Sequence, residues 1–436
     1  MRTTRRELLK AGATAGLAIG LDGFLPLPGL RRLAFAAEPA DSRLLVIVHQ
    51  RGGCDGLNLI SPANDTDFVA ARGSDLRVPT DGPDAGHPLA HRGGAAIDFR
   101  LHAAAKGLSE LYDGGQLAFI HAAGLTNPTR SHFVATDMIE RGVADNAALG
   151  RIGDGWLARY LASVRAGGMA TAVDAAASLS GEFARWPAAL AVPDLAGGFA
   201  PPGGQQVDDV LGRLYLAAPG DVGAAGRGAL AAMRAIDARL PRDAQRKIVP
   251  YQAEQGVNYD LAGDLGRPLR TVAQLAKMEI GLEFAAVDIG GWDTHEYQAG
   301  RFRNAVERLS NGLSGFYADM ARFHDRLVVV VLSEFGRRLR SNKSNGTDHG
   351  RAGVMAVLGG AVAGGRMVGS WPGLAADRLD EGVDLAVATD YRRVLTETLV
   401  QHGGGATPAN LFPGYAYPGP LGLFRTAVKA SASRAG

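Results

Sequence analysis

Four short segments, far apart in the chain, carry acid and imidazole groups in glycine-rich settings. They are Gly52-Gly53-Cys54-Asp55-Gly56-Leu57-Asn58, Gly290-Gly291-Trp292-Asp293-Thr294-His295-Glu296, Ser333-Glu334-Phe335-Gly336-Arg337 and Gly346-Thr347-Asp348-His349-Gly350. Carboxylates gathered at one place repel one another unless they are protonated or neutralised by cations. Mixed with imidazole they suit zinc, manganese or iron; with mostly oxygen donors they suit magnesium or calcium. The expected centre therefore holds one or two divalent ions (zinc, calcium, magnesium or manganese) on Asp55, Asp293, His295, Glu334, Asp348 and His349. Each residue also has an ordinary alternative. An aspartate in a glycine-rich loop shapes a turn, and Asp293 could cap a following helix. Glu334 resists such a reading, because a charge just beyond an unbroken apolar strand needs a partner.

The elements that must position these groups read as alternating strands and helices. Residues 43–49, 117–121, 282–289, 327–332 and 353–360 are apolar runs expected as strands; near-continuous apolar character is what a parallel sheet covered on both faces requires. Helices are expected over 101–112, 131–141, 302–323 and 390–402. Strand, helix, strand over 282–332 reads as a right-handed crossover. The fold class is α/β, a three-layer α/β/α sandwich with a mostly parallel central sheet, and ligands in such sheets sit at the carboxyl ends of the strands. Residues 150–270 change texture, with Ala-rich helical runs between Gly/Pro segments, and are expected to be a helical insertion or lobe within one domain spanning 37–436.

The first 36 residues read as an address. Thr4-Arg5-Arg6-Glu7-Leu8-Leu9-Lys10 precedes an apolar run over 11–25, too short to span a bilayer, and resembles a twin-arginine (Tat) export signal. Ala34-Phe35-Ala36 offers small residues for cleavage after Ala36; retention as an anchor is the alternative. The expected location is periplasmic or secreted, with the Tat translocase as partner during export and membrane contact only through this segment. Net charge is +2, so bulk attraction to nucleic acid is not expected. The single cysteine, Cys54, excludes an internal disulfide and reads as a small buried residue, with a nucleophile or soft metal ligand as the alternative.

With Arg51-Gly52-Gly53, Asp55-Gly56-Leu57-Asn58, Arg130-Ser131-His132-Phe133 and the three later motifs, the chain resembles the domain of unknown function 1501 family, from about Leu44 to Phe412. That family looks like a distant branch of the alkaline phosphatase and sulfatase superfamily. The resemblance implies an alkaline-phosphatase-like fold and a two-metal hydrolytic site. It puts Asp55 at the first metal-binding Asp, Asp293 and His295 at an Asp and His of one metal, Glu334 at an Asp of the second, and His349 at the last His of the first. Phe335 departs from it, standing where the superfamily usually has His. Thr126-Asn127-Pro128-Thr129-Arg130 is similar to the sulfatase signature, with Thr126 in the nucleophile's place.

Ser131 is the other candidate nucleophile, at a helix start where N–H groups stabilise an oxyanion. The competing reading has Thr126 and Thr129 shaping a turn and Ser131 capping the helix. His132 reads either as a ligand or base, or as a satisfied buried histidine. Arg130 and Arg337, with Arg338, Arg340 and Lys343, could bind a phosphate or sulfate oxygen or form a solvated face. The expected function is an exported metal-dependent hydrolase of phosphate or sulfate esters. The alternative is a non-catalytic binding or partner protein that keeps the fold. A redox protein is disfavoured, because no Gly-x-Gly-x-x-Gly follows a strand and one Cys cannot hold an iron–sulfur cluster.

Overall fold

A computed structural model describes residues 43–89, 97–164, 170–201, 203–403 and 408–425. The leader expected over 1–36 lies outside the described residues. The strands are β1 (Leu44–Gln50), β2 (Ile60–Pro62), β3 (His87–Pro88), β4 (Phe99–Leu101), β5 (Leu117–Gly124), β6 (Ala172–Asp174), β7 (Ala189–Ala191), β8 (Phe284–Ile289), β9 (Leu327–Leu332), β10 (Gly353–Gly359), β11 (Arg366–Val368) and β12 (Thr389–Asp390). Nine of them form the main sheet in the order β11-β5-β10-β9-β1-β8-β6-β7, with β12 also on β5. β2, β4 and β3 form a small separate sheet.

The main sheet is parallel except for β10, which runs antiparallel to both β9 and β5. An apolar run such as Val354 to Leu358 carries no mark of its direction, so this reversal is invisible in the sequence. β8, the helix Gln298–Asp319 and β9 make the expected crossover, with β1 between the two strands.

Alternation along the central strands creates two cores, one on each face. Leu44, Val46 and Val48 of β1 join Val329 and Val331 of β9 and the helices Gly266–Lys277 and Gln298–Asp319. Leu45 and Ile47 join Val328 and Val330 and the helices His132–Arg141, Trp156–Val164 and Tyr391–Gly403. Side chains of successive strand residues point to opposite faces, so a strand apolar at every position needs helices on both sides. Residues 150–270 contribute helices, including the pair Gly204–Ala217 and Gly220–Arg239, and also β6 and β7 to the sheet. No helix among the described residues is long and apolar enough to cross a membrane.

Candidate metal centre

The carboxyl ends of β1, β8 and β9 bring three of the four motif loops together, and the turn before β10 supplies the fourth. Gly52 and Gly53 make this closeness possible. Gly52 has φ +120°, and a Cβ on it would lie 2.5 Å from the Asp293 amide nitrogen. Gly53 has φ +68°, and its Cβ would strike the Phe335 ring at 2.5 Å. Gly52→Ala is expected to destabilise the fold by more than ~1 kcal/mol, because the residue is both strained and blocked, and to weaken cation binding by moving Asp293. A melting curve and a cation titration of the variant check both.

Arg337 ties the loops from below. Its buried guanidinium donates to the carbonyls of Gly52, Gly53, Trp292 and Thr347 and to Asp293 Oδ1. The guanidinium thus spends its donors on holding backbone and does not face outward for a substrate oxygen, as one sequence reading had it. Asp293 is held ionised: burial pushes its pKa up, but the Arg337 bond and charge outweigh this and the net direction is down.

Around Asp293 stand three imidazoles. His295 Nε2 is 3.0 Å and His349 Nε2 3.2 Å from Asp293 Oδ1; His132 Nε2 is 3.6 Å from Oδ2. His295 Nε2 and His349 Nε2 lie 2.9 Å apart. Ligand atoms of His132, Asp293 and His349 all fall within 4.8 Å of one another, and His295 abuts two of these three. Donors on a tetrahedral ion with bonds of about 2.1 Å sit roughly 3.4 Å apart, so these spacings fit a cation.

The far nitrogen of each ring fixes the tautomer. His132 Nδ1 is 2.7 Å from Glu334 Oε1, His295 Nδ1 is 3.1 Å from Asp348 Oδ1, and His349 Nδ1 is 2.8 Å from the Arg130 carbonyl. All three partners can only accept, so each Nδ1 donates outward and each ring presents its Nε2 to the space beside Asp293. Two ring nitrogens 2.9 Å apart need a cation or a proton between them. His132 Nε2 is buried without a hydrogen-bond partner among the described residues. An acceptor behind a ligating imidazole is the usual outer arrangement of a metal site. Three carboxylates (Asp293, Glu334, Asp348) and one buried guanidinium (Arg337) leave the group with an excess of acid groups, which suits a cation.

This changes the expected assignment. Asp293, His295 and His349 stand together in one group with His132. Glu334 and Asp348 do not; they orient His132 and His295 from behind. Glu334 also accepts from the Gly52 amide at 2.8 Å and the Ser333 hydroxyl at 3.0 Å. Burial raises its pKa, yet the His132 bond and the backbone amides bring it below the usual carboxylate range. Asp348 is lowered first by the Asn342 amide. Asp55 is outside the group altogether. It is fully buried, caps the helix Gly56–Leu59 through the Leu57 and Asn58 amides, and pairs with Arg72 at 2.6 and 3.0 Å. Gln298 Nε2 adds a bond of 2.7 Å. With its oxygens covered by donors, Asp55 stands apart from the group of His132, Asp293 and His349. The Phe335 ring packs against His132 and His349, with centroids 4.9 and 4.8 Å away, as an apolar floor.

Of the proposed catalytic groups, Arg130 is spoken for. It pairs with Asp384 and with Glu381 at 2.8 Å, so it serves the centre through its carbonyl. Thr126 is exposed, and its carbonyl accepts from Arg351. Thr129 Oγ1 accepts from the Ser131 amide, as a turn residue does. Ser131 is exposed and its hydroxyl does not cap the helix His132–Arg141. Cys54 is buried, as expected of a small core residue, and burial with Asp55 beside it pushes its thiol well up.

Residues 262–399 match the sequence profile of a family described as "Protein of unknown function (DUF1501)". This is the family named from the motifs, and the matched stretch contains Asp293, His295, Glu334, Asp348 and His349. No curated protein matches the chain. Among solved structures it is similar to the C-terminal periplasmic domain of EcEptC from Escherichia coli in complex with Zn, at 8% identity and TM-score 0.34, covering 75% of this chain and 77% of that one. It is also similar to a protein in the alkaline phosphatase superfamily from Vibrio parahaemolyticus, at 10% identity and TM-score 0.28, covering 82% and 69%.

Proposed function

We propose that the chain is an exported metal-dependent hydrolase of phosphate or sulfate esters. The observation that carries the metal is the convergence of three Nδ1-tethered imidazoles on Asp293. His132, Asp293, His295 and His349 would hold a zinc- or manganese-class ion, given the nitrogen-rich donor set. A divalent ion supplies Lewis acidity to an ester oxygen and eases deprotonation of a nearby oxygen nucleophile. The step to esters rests on the motif resemblance and on the hydroxyls at the rim. Ser131, next to His132 and unspent on capping, is the better nucleophile of the two candidates; Thr126 lies five residues upstream. Arg338 is the basic residue assigned here to meet the anionic group, because its charge reaches Asp348 at the edge of the centre. Export through the Tat pathway to the periplasm or beyond is part of the same proposal and rests on the leader alone.

A panel of phosphate and sulfate esters, tested before and after chelation, checks this reading. Cleavage that a chelator abolishes and added zinc or manganese restores is the expected result. Protons compete with the cation for the imidazoles, so cation affinity should fall as pH is lowered. His132 is raised above the ordinary histidine value by its bond to Glu334, and His349 is lowered by burial. The loss therefore begins above the ordinary histidine pKa and extends below it. The second reading, a partner protein that keeps the fold without turnover, is favoured by one observation: Arg130 is occupied by Asp384 and Glu381. A metal-loaded chain that cleaves nothing on the panel selects it.

A further inference from the structure

We propose that His49, Glu140 and Glu182 form a second divalent-cation site, sharing no residue with the first. The three lie beside the carboxyl end of β1, all are buried, and their ligand atoms fall within 4.8 Å of one another. His49 Nε2 is 3.0 Å from Glu182 Oε1. Glu182 is completely enclosed, and its other oxygen, Oε2, has no hydrogen-bond partner among the described residues. A buried carboxylate oxygen left bare is costly unless something positive meets it.

The surroundings are short of positive charge. Arg51 is shared between Glu140, at 2.7 Å, and Asp288, at 2.9 Å. Glu140 Oε2 takes the Gly181 amide at 2.8 Å. Asp174 lies near, and among the described residues Ser180 alone donates to it, through its amide and hydroxyl at 2.7 Å. One guanidinium and one imidazole thus face Glu140, Glu182, Asp174 and Asp288. A divalent ion bound by one imidazole and two carboxylates resolves this, and that donor set suits zinc or manganese.

The location gives the ion a structural role. The helix His132–Arg141 carries His132 at its start and Glu140 two turns later. Arg51 precedes Gly52, whose amide holds Glu334. An ion on Glu140 would brace the helix and loop that position His132.

The test is metal content by mass spectrometry of the full chain after zinc loading and dialysis. Wild type should hold two ions per chain. Glu182→Gln and His49→Gln should each hold one, and His349→Ala should retain one. Equal content in wild type, Glu182→Gln and His49→Gln overturns the second site. If the first two variants do not fold, His349→Ala decides: one residual ion supports the proposal and none overturns it. Full content in His349→Ala with one ion lost in Glu182→Gln supports this site and counts against the first centre instead.

Discussion

Removing His349 is expected to lower cation affinity at the first centre by more than about 100-fold. Loss of an outer partner that merely orients a ligand costs roughly 10–100-fold, and His349 is an inner donor. It touches Asp293 and His295 and sits against His132, with ring centroids 4.4 Å apart. His132→Ala should behave the same way. Glu334→Gln and Asp348→Asn should fall in the weaker class, because His132 and His295 remain present and lose only their tethers. Calorimetric titration of chelator-stripped protein with zinc separates the two classes. Equal losses for Glu334→Gln and His349→Ala would mean that Glu334 itself binds the ion, as the sequence reading had it. Ester cleavage, where present, should follow the same order.

The strands and the loops that leave them were legible because their signals are local. β9 falls on the expected residues, 327–332, and the apolar runs of β1, β5, β8 and β10 are found within a few positions. Three of the four motif segments lie at one edge because parallel strands send their exits the same way; the fourth, which precedes β10, joins them because β10 runs antiparallel, and that was not legible. Which group each carboxylate would meet was not legible, because that depends on contacts across the chain. Glu334 meets His132 from 202 residues away, and Asp55 meets Gln298 from 243 away. A carboxylate at a strand exit needs a positive partner; the sequence shows the need but not whether a cation, an imidazole or a guanidinium meets it. Arg72 in particular follows a short helix, Thr66–Ala71, and nothing in its own segment marks it as Asp55's counter-ion. His132 was readable as a ligand from its place at a helix start after β5, but a single histidine there has a bland reading too. The tie that settles its orientation is the distant Glu334.

Asp55 should therefore prove a stability residue and not a cation ligand. Asp55→Ala strands the Arg72 guanidinium, which is completely buried and whose other partners are the carbonyls of Arg338 and Leu339. Breaking a buried pair from one side typically costs about 3–5 kcal/mol, read here as a lowered urea midpoint. The variant also loses the cap of the helix Gly56–Leu59. Asp55→Asn combined with Arg72→Met should recover part of the loss, because removing both charges leaves neither one buried alone. The pH dependence has a definite sign. Burial pushes the Asp55 carboxyl up, but Arg72 and Gln298 outweigh it and its pKa is lowered on folding. Its contribution is present above the unfolded carboxylate value and is lost as pH falls through the folded one. Wild type should therefore lose stability on acidification more steeply than the double variant. Cation affinity of the folded double variant should equal that of wild type. If Asp55→Ala instead keeps its urea midpoint and loses the cation, the carboxylate reaches the metal after all and the Arg72 pairing described here is wrong.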